Sequence, residues 1–151
     1  MQQLNLPKYD FNIKKNRNSI GFKIFDEFRK KFVVLTPEEW VRQNFCKYLI
    51  TEKDFPVSMI AVEISLAIYN LKKRADIVIY DKFGKIRFLI ECKSPNIEIN
   101  QKTFEQILRY DMQFDSEYLI LTNGMIHFCC KINKIENKVL YLKNIPNYKD
   151  I

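Results

Sequence analysis

Glycine is scarce. The 151 residues hold three, Gly21, Gly84 and Gly124. They lie too far apart to write a Walker A loop or a dinucleotide fingerprint, so glycine-rich phosphate cradles are excluded. Histidine occurs once, as His127, which removes any mechanism that needs two. No run of about 18 apolar residues exists, which leaves no membrane-spanning helix to write. The opening Met1-Gln2-Gln3-Leu4-Asn5 lacks the charged start and apolar stretch of a secretory signal. The four cysteines, Cys46, Cys92, Cys129 and Cys130, show no C-x-x-C spacing. They read as reduced thiols of a cytoplasmic protein. A zinc site from His127, Cys129 and Cys130 is disfavoured, because adjacent cysteines on a strand leave on opposite faces. His127 itself reads as strand surface.

Hydrophobic residues make up 47% and charged residues 28%, an ordinary globular mix. Lysine and arginine number 25 against 18 acids, for a net charge of +7. That excess suits a polyanionic partner through counterion release, and it equally describes a solvated lysine-rich surface. The length suits one domain, 1–151, with an arm and hairpin over 1–30, a core over 31–132, and an edge strand and tail over 133–151.

Lys14-Lys15-Asn16-Arg17-Asn18 reads as a basic loop or arm. Short strands are expected at 22–25 and 31–35. Thr36-Pro37-Glu38-Glu39 opens a helix: Thr36 as N-cap, Pro37 at the first position, Glu39 closing a capping box. Val41, Phe45, Tyr48 and Leu49 then form one apolar face, ending near Glu52. Strands follow at 59–69, 74–80 and 86–93, with Gly84 in the turn between the last two. A second helix spans 102–114. The continuous apolar run Tyr118 to Thr122 marks a central strand covered on both faces. Asn123-Gly124 turns the chain into a strand over 125–132, and 139–142 adds an edge. The order predicts a mixed α/β domain.

Two short pieces carry chemistry: Arg74-Ala75-Asp76 and Glu91-Cys92-Lys93. Glu91 and Lys93 lie two apart on a strand and share a face, while Cys92 points into the core. A two-residue turn at Phe83-Gly84 would pair Asp76 with Glu91, with Cα atoms roughly 5 Å apart. A three-residue loop with a glycine bulge would move the register by one and still let the side chains converge. Two close carboxylates repel unless a cation sits between them. Magnesium takes such hard oxygens, and Asp76, Glu91 and the backbone carbonyl of Cys92 supply three. Lys93 can orient or help deprotonate an attacking water, or neutralise charge on a phosphate. The alternative for each is plain: a cross-strand salt bridge and a turn aspartate.

Asp76 followed by Glu91-Cys92-Lys93, between helices 36–52 and 102–114, resembles the PD-(D/E)xK nuclease superfamily. Within it the chain is most similar to the N-terminal nuclease domain of type I restriction enzyme R subunits. The resemblance spans roughly residues 31 to 132. It is carried also by Thr36-Pro37-Glu38-Glu39-Trp40-Val41-Arg42-Gln43, Lys72-Lys73-Arg74, Ser94-Pro95, Gln106-x-x-x-Tyr110 and Leu121-Thr122-Asn123-Gly124. It implies a restriction-endonuclease-like αβββαβ core and a Mg²⁺-dependent endonuclease, with Mn²⁺ as substitute. Asp76 and Glu91 would be metal ligands and Lys93 the catalytic lysine. Gln106 and Tyr110 would contact DNA and support the site. The family also places an acid on the first helix; Glu38, three before Val41 and seven before Phe45, is favoured over Glu39 as lying on the buried stripe. Ala75 stands where the superfamily name has proline, and no Walker A motor is present. Motor, methylase or specificity subunits would therefore act in trans, and a homodimer is compatible with cutting both strands. Lys72, Lys73, Arg74, Arg42, Lys102 and Arg109 are candidates for backbone phosphates. A non-catalytic DNA-binding or scaffolding module and an RNA endonuclease are the competing readings.

Overall fold

The computed structural model describes residues 1–17 and 20–151. Three strands, β1 (Ile13–Lys15), β2 (Phe22–Asp26) and β3 (Lys31–Val34), form a small antiparallel sheet. Helix α1 (Pro37–Thr51) follows. Strands β4 (Ile60–Ile68), β5 (Leu71–Tyr80) and β6 (Ile86–Cys92) form a meander. Helix α2 (Gln101–Asp111) then crosses to β7 (Tyr118–Thr122), which pairs with β6 in parallel. Strands β8 (His127–Asn133) and β9 (Lys138–Leu142) complete a six-stranded mixed sheet in the order β4-β5-β6-β7-β8-β9. The fold class expected from the sequence is the one observed, and its central elements follow the order αβββαβ. No helix among the described residues is long and apolar enough to cross a membrane.

The sheet is covered on both faces. Val41, Phe45, Cys46 and Leu49 of α1 pack with Ile77, Ile79, Phe88, Ile90 and Ile120. Phe104 and Leu108 of α2 pack with Val78, Leu89, Leu119 and Leu121. Every residue of β7 is buried, as its unbroken apolar run requires. Cys129 and Cys130 fall in opposite clusters, one on each face.

Helix α1 begins as expected: Thr36 caps it by accepting the Glu39 N–H at 3.0 Å, with Pro37 in its first turn. The capping box is only half formed, because the Glu39 carboxylate is taken by Arg29, Arg42 and Gln43 instead. The basic arm is corrected: Ile13, Lys14 and Lys15 are strand β1, paired with Ile24, Lys23 and Phe22. Asn18 lies outside the described residues. All three β1 residues are exposed, so an edge strand formed without any apolar alternation to announce it.

The turn at Asn123 is also longer than expected. The β7–β8 ladder ends at Thr122–His127, leaving four loop residues. The Asn123 side chain accepts the Met125 and Ile126 N–H groups and donates to the Ile97 carbonyl. Gly124 has φ +78°, and a Cβ there would meet Leu4 Cδ2 at 2.8 Å. Gly124→Ala is expected to destabilise the protein by about 1–3 kcal/mol in urea denaturation, from left-handed strain and the displaced Leu4. An unchanged midpoint would mean that the loop relaxes freely.

Candidate active site

The site sits where β5 and β6 diverge. Ile77–Ile90, Val78–Leu89 and Ile79–Phe88 hold the register predicted for Asp76 and Glu91. The turn does not do this as the two-residue reading supposed. Gly84 N–H bonds the Asp81 carbonyl and Asp81 N–H the Lys85 carbonyl, which shifts the pairing by one. An irregularity between Ile79 and Tyr80 shifts it back. One residue beyond Ile77–Ile90, the Asp76 carboxylate accepts the Cys92 N–H at 2.7 Å. Lys93 N–H bonds the Thr122 carbonyl at 2.8 Å, fixing the residue to the central strand.

Around Glu91 two ammonium groups converge. Lys93 Nζ is 2.8 Å from one carboxylate oxygen and Lys73 Nζ 2.9 Å from the other. Lys73 also bonds both oxygens of Asp111, at 2.7 and 2.9 Å. Burial works against ionisation of Glu91, but the two lysines hold its pKa below the usual range. Burial disfavours charge on Lys73 and Lys93 too; their carboxylate partners, Glu91 first, keep both pKa values raised. Among the described residues no salt bridge joins Asp76 to a cation, although Lys93 acts on it from a distance. Burial, then the Glu91 charge, then those of Glu38 and Glu63 push its carboxyl up to about 7 against the pull of the Cys92 N–H. Cys92 is fully buried and burial raises its thiol pKa, so it is an inert core group.

Two clefts flank this pair. One, of about 230 Å³, is lined by Glu38, Glu63, Arg74 and Asp76 among others. The second, of about 360 Å³, is lined by Lys72, Lys73, Glu91, Gln106, Tyr110 and Asp111 among others. Gln106 thus faces the same cleft as Glu91. Tyr110 donates its hydroxyl to the Lys72 carbonyl at 3.2 Å, tying α2 to β5. Lys102, Gln106 and Arg109 are exposed along α2, at spacings that share one face.

Several expectations change. Glu38 is exposed rather than on a buried stripe; Glu39 is the inward acid of α1. Glu38 nevertheless lines the Asp76 cleft. Lys73 is not a free surface lysine, because Glu91 and Asp111 claim it. Arg42 is 2% exposed and bonded to Asp26 and Glu39, so it cannot meet a phosphate. Arg74 is paired with Glu63 but remains largely exposed. His127 is packed against Phe45 and Tyr48 and bonded to Thr122 at 2.7 Å, not strand surface.

Sequence reading missed two residues. Asp111 lies on the buried face of α2, seven after Phe104 and three after Leu108, and a carboxylate there demands a cation. Glu63 lies across from Asp76, between the pairs Val62–Ile77 and Ile64–Ala75. Its φ is +56°, an outlier for a non-glycine strand residue. The strand faces reverse there: Val62 and Ile77 pack on the α1 side, Ile64 and Ala75 on the α2 side.

Among the described residues no three histidine, cysteine, aspartate or glutamate side chains stand ready to hold a metal ion together. The donor chemistry fits a hard divalent cation all the same. Such ions take one or two carboxylates and keep several waters. Burial and then the Glu91 charge raise the Asp76 pKa, and a cation between the two carboxylates would relieve their repulsion.

Residues 37–146 match the family described as Type I restriction enzyme R protein N terminus. Comparison with curated proteins finds no match. Among solved structures the chain is similar to a fragment described as the HsdR subunit of a type I restriction enzyme from Vibrio vulnificus YJ016. The identity is 15% and the TM-score 0.45, over 70% of this chain and 23% of that one. The chain therefore spans less than a quarter of that relative's length.

Proposed function

Because the chain belongs to the family of type I restriction enzyme R protein N termini, we propose that it is a nuclease module of the PD-(D/E)xK type, hydrolysing DNA phosphodiester bonds with Mg²⁺ or Mn²⁺. The observation that carries this reading is the closeness of Asp76, midway along β5, to Glu91 near the end of β6, with the Cys92 N–H bonded to Asp76 and Lys93 bonded to Glu91 at 2.8 Å. Family membership alone would not supply the chemistry; the side chains do.

Asp76, Glu91 and the Cys92 carbonyl would hold the ion, which supplies an activated water and a polarised phosphate when bound. Lys93 keeps its proton and its position through Glu91. It is placed to neutralise negative charge that grows on the phosphoryl oxygens. Glu38 adds an acid at the mouth of the Asp76 cleft. Gln106, with Tyr110 behind it, presents α2 to the strand being cut, and Lys72, Arg74, Lys102 and Arg109 offer charge to the backbone. Such contacts are salt-sensitive and carry no sequence information, so on this reading choice of site is made elsewhere in the restriction system.

The test offers the purified chain supercoiled plasmid, linear duplex, single-stranded DNA and RNA, each with Mg²⁺, Mn²⁺ or EDTA. The reading expects DNA nicking that requires the metal. Cleavage of RNA alone would make it a ribonuclease. Salt-sensitive DNA binding without cleavage under any condition would make it a binding module.

A further inference from the structure

An ammonium group is bonded to each of the two Glu91 oxygens. Lys93 holds one and Lys73 the other. Each oxygen keeps a further lone pair for a metal, but a divalent cation bound there meets the positive charge of both lysines. The two are not equivalent. Lys93 is 32% exposed and its bonded carboxylate is Glu91. Lys73 is 11% exposed and grips both oxygens of Asp111, whose side chain is 2% exposed. Asp111 follows Tyr110, and Tyr110 is bonded to the residue before Lys73. Two consecutive residues of α2 thus lock onto two consecutive residues of β5.

We propose that Asp111 is a positioning residue that gives Lys73 a second carboxylate, so that Lys73 can release Glu91 to the metal. The inference rests on the metal-dependent reading above. With Asp111 in place, Lys73 keeps a full carboxylate partner when Glu91 turns away, and its charge near the ion is balanced. Without Asp111, Lys73 has Glu91 as its remaining anion, and its positive charge opposes the incoming cation. α2 then does more than present Gln106 to nucleic acid: it sets the affinity of the carboxylate across the cleft.

The experiment is Mn²⁺ binding by calorimetry to the wild-type chain, Asp111→Asn, Lys73→Gln and the double variant, with circular dichroism to verify folding. Asp111→Asn should bind Mn²⁺ about tenfold or more weakly, the size usual for groups that orient a metal ligand. Lys73→Gln should bind more tightly than wild type. The double variant, with no buried charge left at this contact, should recover at least wild-type affinity. A merely structural Asp111 would shift the melting temperature and leave the affinities alone. Unchanged binding by Asp111→Asn, or a double variant as weak as Asp111→Asn, overturns the inference and leaves the nuclease reading standing. No Mn²⁺ binding by the wild-type chain overturns both. If Asp111→Asn does not fold, Lys73→Gln decides: affinity no higher than wild type refutes the proposal.

Discussion

Asp76→Asn is expected to stabilise the metal-free protein while abolishing its cleavage. Folding moves the Asp76 carboxyl from its ordinary 3.8 to about 7, chiefly by burial and then by the Glu91 charge. A carboxyl raised on folding binds more protons in the native than in the unfolded state between those two values. Stability therefore falls as pH rises through that window, and the full cost is present above it. Three units correspond to about 4 kcal/mol, and relaxation of neighbouring acids lowers the effect to about 2–4 kcal/mol at pH 8. Asparagine removes the ionisation and keeps an oxygen to accept the Cys92 N–H. Urea denaturation in EDTA should show the variant gaining most at pH 8 and little near pH 4. Loss of stability at pH 8 would mean that Asp76 has a cationic partner in solution.

Arg42→Met should cost about 3–5 kcal/mol, because it strands buried charge. Arg42 is 2% exposed and Asp26 1%. The guanidinium of Arg42 bonds the Asp26 carboxylate of β2 and the Glu39 carboxylate of α1. Arg29, in the β2–β3 turn, bonds the same two acids. This square is the polar seam between the small sheet and α1, beside Glu38. Burial works against the charge on Arg42, yet the Glu39 hydrogen bond leads the interactions that keep it firmly protonated. Lysine cannot reproduce the fork, so Arg42→Lys should restore little. Denaturation midpoints for both variants decide it. A loss below about 1 kcal/mol would show that Arg29 alone satisfies both acids.

What could be read from the sequence was what repeats or alternates. Thr36-Pro37 fixed the start of α1, and the run at 118–122 fixed the central strand. The register came out as the two-residue turn would set it although the turn is the three-residue alternative, because a second irregularity cancels its shift. That cancellation has no sequence signal. Long-range charge pairing was equally hidden. Lys73 looked like a free phosphate contact because its partner Asp111 lies 38 residues away. Arg42 sat within the helix pattern, but only the packed β2–β3 turn brings Asp26 against it. Glu38 and Glu39 differ by one position, and helical spacing placed the wrong one inward; the pull of Arg29 and Arg42 on Glu39 settled the matter. Glu63 falls between Val62 and Ile64 of an alternating pattern, which gives no sign of its left-handed backbone.

The most direct measurement is plasmid cleavage by Lys93→Ala and Asp76→Ala beside the wild-type chain, in Mg²⁺ and in EDTA. Both variants should retain their fold and lose about 10²- to 10⁴-fold in rate, the range for a positioned group acting on the transition state. Cutting that persists at wild-type rate in both would place the chemistry elsewhere and contradict the site built on β5 and β6.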